Sequence, residues 1–189
     1  MDVSRKVFVI HGRDEDLREA MFDLLRALSL QPLEWEQLVA DHGAPLPFLY
    51  DVVAEALSEG RVQAVLVLLT PDDVVQLHPD LYGPNEPRYE REPALQPRPN
   101  VLIELGMALG THRDRTVVVE VGGLRPIADL AGLNVIRFDG SDAAIGKIVC
   151  RLKLAGCQVE ADGADWRRAR RFAGLGAFER QVGESEPRR

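Results

Sequence analysis

Cysteine is nearly absent: Cys150 and Cys157 are the only two in 189 residues, and the six residues between them match neither a zinc-ligand spacing nor a disulfide framework. Both read as reduced structural residues, Cys150 inside a helical pattern and Cys157 just past its end. Long apolar runs are missing too. The longest, Ala64 to Leu69, falls far short of the roughly 18 residues that cross a bilayer, and Met1 to Ile10 has no secretory apolar core followed by a cleavage site. A soluble, cytoplasmic protein without a membrane partner is expected. Nor is there an excess of positive charge. Thirty acidic against 23 basic residues give a formal net charge of −7, which repels nucleic-acid backbones. That balance favours a small ligand or a protein as partner, and no nucleic acid.

Several catalytic signatures are also missing. There is no G-x-G-x-x-G and no P-loop, which disfavours hydride transfer on a Rossmann site and Walker-type nucleotide hydrolysis. His11, His42, His78 and His112 are scattered without an H-E-x-x-H, so no metal site is expected. Ser4, Ser29, Ser58 and Ser141 lack a G-x-S-x-G context, leaving serine-hydrolase chemistry without a nucleophile. No internal repeat is present. Hydrophobic residues at 46% and charged residues at 28% are ordinary for a globular chain, which removes disorder and collagen-like classes, and the length suits a single α/β domain.

What is present is a series of short Val-rich runs, 6–10, 64–69, 116–121 and 133–138, with a weaker one at 32–35, as expected for strands of a parallel sheet buried on both faces. Helical stripes lie between them. Leu17, Met21, Leu24, Leu25 and Leu28 follow Asp14 as N-cap. Leu49, Val52, Val53, Ala56 and Leu57 precede Gly60, and Ile145, Ile148, Val149 and Leu152 lie between Ser141 as N-cap and Gly156 as stop. A strict β-α alternation predicts a five-stranded parallel sheet of order 2-1-3-4-5 with helices on both faces. Seven of the twelve prolines fall between Pro71 and Pro99, which predicts a long loop acting as a lid or an interaction surface. Toward the C-terminus, Arg167, Arg168, Arg170 and Arg171 beside Trp166 and Phe172 read as a solvated helix docked by its aromatics, or as a local patch for nucleic acid or an acidic partner.

Ligands of such sheets bind outside the carboxyl ends of strands 1 and 3, where the strand order reverses. That rule selects two loops, His11-Gly12-Arg13 and Thr70-Pro71-Asp72-Asp73. Gly12 permits close backbone approach, Arg13 suits a phosphate, and the helix after Asp14 presents free N–H groups to an anion; a tight turn with an N-cap explains the same residues. Asp72 and Asp73 read as turn residues or, alternatively, as ligands of a divalent cation. Glu104 is the sharpest local anomaly, the only ionisable group from Val101 to Gly110. A helix apolar all round is buried, so this carboxylate must be paired, protonated or facing a cleft. It reads either as a cleft residue or as a carboxylate satisfied by the helix dipole or by Arg98.

Three segments taken in order, KVFVIHGRDEDLREAMFDLLRALSL, VLVLLTPDD, and RPNVLIELGMALG followed by DRTVVVEVG, resemble the bacterial TIR-like nucleotide-binding proteins that act as effectors in cyclic-nucleotide-triggered antiphage defence. The similarity runs from about Lys6 to Val159. It implies a flavodoxin-like TIR fold over residues 1–159 and a C-terminal extension over 160–189, partly helical or disordered. It also implies an NAD+ glycohydrolase, with Glu104, the glutamate of N-V-x-x-E-x-G, removing nicotinamide to leave ADP-ribose or a cyclic form of it. Val9, His11, Gly12, Arg13, Thr70, Pro71, Asp72 and Asn100 fall on positions that bind substrate in the family. NAD+ is then a substrate, and neither cofactor nor metal is expected. With no sensor domain in the chain, control is expected from homo-oligomeric assembly and a separately encoded sensor. Two alternatives remain open: a non-catalytic module that binds nucleotides or other TIR domains, and an enzyme like the nucleoside deoxyribosyltransferases, which also use a glutamate at the anomeric carbon.

Overall fold

The computed structural model describes residues 2–42, 48–58, 60–163, 165–167 and 169–183. Five parallel strands form the central sheet: β1 (Lys6–Ile10), β2 (Gln31–Leu33), β3 (Ala64–Leu69), β6 (Thr116–Val121) and β7 (Ile136–Phe138). Their order is β2-β1-β3-β6-β7, which is 2-1-3-4-5 counted along the sheet's own strands. Phe8 stands opposite Leu33 on one side and Val65 on the other, and Val67 opposite Val118. Because side chains alternate across a strand, Val7, Val9, Leu66 and Leu68 face one layer while Phe8, Ile10, Val65 and Val67 face the other. All six residues of β3 are buried, as a central strand covered on both faces requires.

One layer is built by α1 (Glu15–Ala27) and α6 (Asp142–Leu154), the other by α2 (Trp35–His42), α3 (Leu49–Ser58) and α5 (Pro99–His112). The expected caps form. Asp14 Oδ1 accepts from Leu17 N (3.0 Å), Ser141 Oγ accepts from Ala144 N (3.2 Å), and Gly156 takes φ +88° just after α6. Val52 of the α3 stripe is buried; the side chains of Leu49, Val53, Ala56 and Leu57 lie outside the described residues. Cys157 is buried, with its thiol pushed up to about 11 by desolvation, while Cys150 on α6 is exposed.

Several expectations are corrected. The second strand stops at Leu33, and Trp35 opens α2. There Glu34 is the cap residue, whose N–H donates to Gln37 Oε1 (3.1 Å) as in a capping box, and Pro32 is tolerated because β2 is an edge strand. The last strand is only Ile136–Phe138, since the Val135 N–H turns back onto the Leu133 carbonyl (2.9 Å). The strict alternation also fails. The connection from β6 to β7 holds only a 3-10 turn, Ala128–Leu130, in a stretch interrupted by Gly122, Gly123, Pro126 and Gly132.

The proline-rich segment is more ordered than a long loop. Asp73–Val75 (β4) and Ala94–Gln96 (β5) pair antiparallel, and a short helix α4 (Arg88–Arg91) lies between them. All seven prolines of 71–99 fall outside the paired triplets, which leaves the ladder N–H groups intact. Glu90 of α4 receives a two-pronged ion pair from Arg125, whose backbone N–H also donates to Leu95 O (2.7 Å), so this segment is fastened to the β6–β7 connection. The C-terminal segment forms 3-10 turns at Asp165–Arg167, Ala169–Phe172 and Gly176–Phe178 in place of a helix. Its aromatics dock: Trp166 and Phe172 are buried in the α1/α6 layer, and the Phe172 ring meets Phe138 edge-on at 4.8 Å. Arg168 lies outside the described residues.

Candidate active site

At the carboxyl ends of β1 and β2, among α1, the start of α2 and α5, a cavity of about 460 Å³ is walled by Val9, Ile10, His11, Arg18, Trp35 and Glu104, and by three further carboxylates, Glu15, Glu34 and Glu36. Glu104 enters it from the second turn of α5. The helix begins with Pro99 at its first position and buries Val101, Leu105 and Ala108 against β1, β3 and β6. It is not buried all round. Ile103 is 56% exposed, and Gly106 and Gly110 share that outward side. A two-sided helix therefore carries its carboxylate at the boundary between core and crevice.

Glu104 is half-buried, and among the described residues no hydrogen bond or ion pair satisfies it. Arg98 does not neutralise it, and the second turn lies beyond the reach of the helix dipole. Burial alone pushes its carboxyl from the ordinary 4.5 to about 7. Across the cavity, His11 Nδ1 donates to the Gly12 carbonyl (3.0 Å), so that nitrogen carries a proton, and the ring meets Phe22 edge-on at 6.3 Å. Arg18 is engaged by Glu15 (2.6 Å) and by Glu34. Cavities of about 500 and 520 Å³ occur elsewhere on the sheet, at the amino ends of β6 and β7 and at the carboxyl end of β6. Volume does not distinguish them; the half-buried carboxyl without a partner does.

Beside this crevice the two loops chosen by the strand order meet. Asp72 Oδ2 accepts from the Thr70 hydroxyl (2.8 Å) and the Arg13 N–H (3.3 Å), and burial raises the Asp72 carboxyl against both hydrogen bonds. Thr70 is 2% exposed. A Cβ on Gly12 would stand 1.6 Å from Asp72 Oδ2, so the close approach of the two loops requires glycine there. Asp73 is the first residue of β4, and no group of three His, Cys, Asp or Glu gathers among the described residues. Asn100 is exposed in the first turn of α5, one turn ahead of Glu104, and does not line the cavity. Arg13 is exposed, and the N-terminus of α1 is already capped by Asp14 and followed by Glu15 and Asp16, which sets three carboxylates where an anion was expected.

A sequence model of the family described as "CAP12/Pycsar effector protein, TIR domain" matches residues 6–140. The chain belongs to this bacterial family of antiphage TIR-domain effectors. A curated relative, the uncharacterized protein YuaY of Escherichia coli (strain K12), is 29% identical over 163 residues, 86% of this chain and 49% of that protein. The chain thus spans about half the length of the relative it matches. The five-stranded parallel sheet flanked by helices is the flavodoxin-like TIR fold.

The matched span of this TIR domain holds every expected site residue. Three wall residues at the start of α2 come without a sequence signal: Trp35, hidden at a predicted strand end, and its neighbours Glu34, the partner of Arg18, and Glu36. The spacing of Glu15 and Arg18 by three on one helix face was a signal for Arg18. No helix among the described residues is long and apolar enough to cross a membrane.

Proposed function

We propose that this TIR domain is an NAD+ glycohydrolase that releases nicotinamide and serves as an assembly-gated defence effector. One observation carries the reading: Glu104, an unpaired and half-buried carboxyl, opens onto a crevice at the carboxyl ends of β1 and β2, next to the switch point of the sheet. Heterolysis of the glycosidic bond sends the bond's electron pair to the nicotinamide ring nitrogen, so the leaving group departs neutral and needs no acid. Positive charge then builds on the ribose. Glu104, once ionised, stabilises that charge, and water adds at the anomeric carbon, losing one proton to give ADP-ribose. The step uses no Lewis acid, so EDTA should leave it intact.

The family membership supports the effector role and the expectation of a separately encoded sensor and side-by-side packing of TIR domains. A non-catalytic scaffold gives no reason to keep an unpaired carboxyl at the edge of a core, because desolvating it costs stability. The deoxyribosyltransferase reading shares the glutamate and is separated by substrate. Incubating concentrated protein with NAD+ and, separately, with deoxynucleosides should yield free nicotinamide and no free base. Free base without nicotinamide reverses the assignment.

A further inference from the structure

Arg180 lies forty residues past the span matched by the family, yet it reaches the switch point of the sheet. The Gly176–Phe178 turn delivers it there. Ala177 is fully buried, and its carbonyl oxygen lies 2.3 Å from where a Cβ on Gly122 would stand, while Phe178 packs 6.1 Å from the Phe138 ring centroid. From this anchored turn, Arg180 Nη1 donates to the Pro71 carbonyl (3.2 Å) and Nη2 donates to Asp14 Oδ2 (2.7 Å). The other Asp14 oxygen caps α1, and the Asp14 side chain is only 6% exposed. One guanidinium therefore ties the β1–α1 loop to the β3–β4 turn, and the Arg13 N–H, donating to an Asp72 carboxylate that Thr70 holds in place, ties them at a second point. We infer that Arg180 is a positioning residue that fixes the separation of these two loops, and thereby the fit of the substrate, without touching the reacting atoms.

The two acceptors, a carboxylate and a neutral carbonyl on different loops, suit the planar fork of arginine; lysine cannot hold both in the same geometry. The kinetic part of this inference rests on the NAD+ reading above. The conformational part does not, which keeps the two separable. Three variants should be compared with wild type: Arg180→Ala, Arg180→Lys and Asp14→Asn, the last retaining a good N-cap while losing the ion pair. Arg180→Ala should raise KM for NAD+ about tenfold with kcat within about twofold, and Arg180→Lys should fall between it and wild type. Asp14→Asn should shift KM alike, and adding it to Arg180→Ala should change little more, since both remove one interaction. Hydrogen exchange at the Arg13 and Leu17 amides should quicken in Arg180→Ala while β1 and β3 stay protected. Unchanged exchange at those two amides overturns the inference whether or not NAD+ is cleaved. An unchanged KM in an active protein, or additive effects of the two substitutions, overturns it as well. Absence of nicotinamide release from wild type removes the functional reading alone, and the exchange data then decide the loop coupling.

Discussion

Replacing Glu104 with glutamine should abolish the activity and strengthen the fold. The carboxyl sits in a crevice whose cation, Arg18, is engaged by Glu15 and Glu34, and burial sets its folded value at about 7 against an ordinary 4.5. Such a rise corresponds to ~3 kcal/mol against the charged form, and its partial exposure reduces this to ~2 kcal/mol. Because the folded value lies above the unfolded one, the contribution of the neutral carboxyl is fully present below about pH 4.5 and is lost as pH rises through about 7. Glutamine is neutral at every pH and nearly the same shape. At pH 8 Glu104→Gln should therefore be about 2 kcal/mol more stable than wild type, a Tm gain of roughly 4–8 °C for a chain of this size, and at pH 4.5 the two should melt together. Nicotinamide release should fall at least about a hundredfold, since the charge is needed at the transition state. Scanning calorimetry of both proteins at the two pH values, with nicotinamide measured by chromatography on the same preparations, tests both halves. A variant that melts below wild type at pH 8, or by the same offset at both pH values, refutes the claim that Glu104 is an uncompensated charge. Near-wild-type turnover refutes its role in catalysis.

The same titration sets the pH dependence of the rate. Initial rates between pH 5 and 9 should show kcat/KM climbing about tenfold per unit up to about 7 and levelling beyond, and the kcat limb should lie lower, because the cationic nicotinamide ring holds Glu104 ionised in the complex; a flat profile across this range would exclude Glu104 as the titrating group. Gly12→Ala should displace Asp72 and destabilise the protein by about 1–3 kcal/mol in urea unfolding, and adding Asp72→Ala should recover most of that loss, because the clash is with the Asp72 carboxyl group. Nicotinamide release per molecule should rise with protein concentration as domains assemble; constant specific activity in samples shown by sedimentation to be monomeric would leave catalysis to a self-sufficient pocket.

Local signals were legible and distant ones were not. The Val-rich runs disclosed the strands because a parallel sheet buried on both faces leaves no room for polar residues, and Asp14 and Ser141 announced their helices because a cap acts within three residues of itself. Glu104 stood out as a lone charge, and the structure adds what burial does to it. The prolines of 71–99 drew attention from the proline-free triplets that pair, and the pattern of α5 hid the outward side at Ile103. Trp35 was concealed because an edge strand runs directly into a helix, with one residue between. Arg180 could not be foreseen: its two acceptors lie 109 and 166 residues away in sequence, and no periodicity or cap encodes a contact at that range.

The unequal surroundings of the two thiols make the native protein ready for labelling. Cys157 is shielded and holds its proton to about pH 11, whereas Cys150 is open to solvent on α6, across the sheet from the helix that carries Glu104. A maleimide fluorophore will therefore attach at one position without any engineered substitution, on a helix that contributes no residue to the crevice wall. Energy transfer within a mixture of donor- and acceptor-labelled molecules then follows the meeting of domains in real time, in the same cuvette in which nicotinamide appears, so the order of encounter and turnover is read directly.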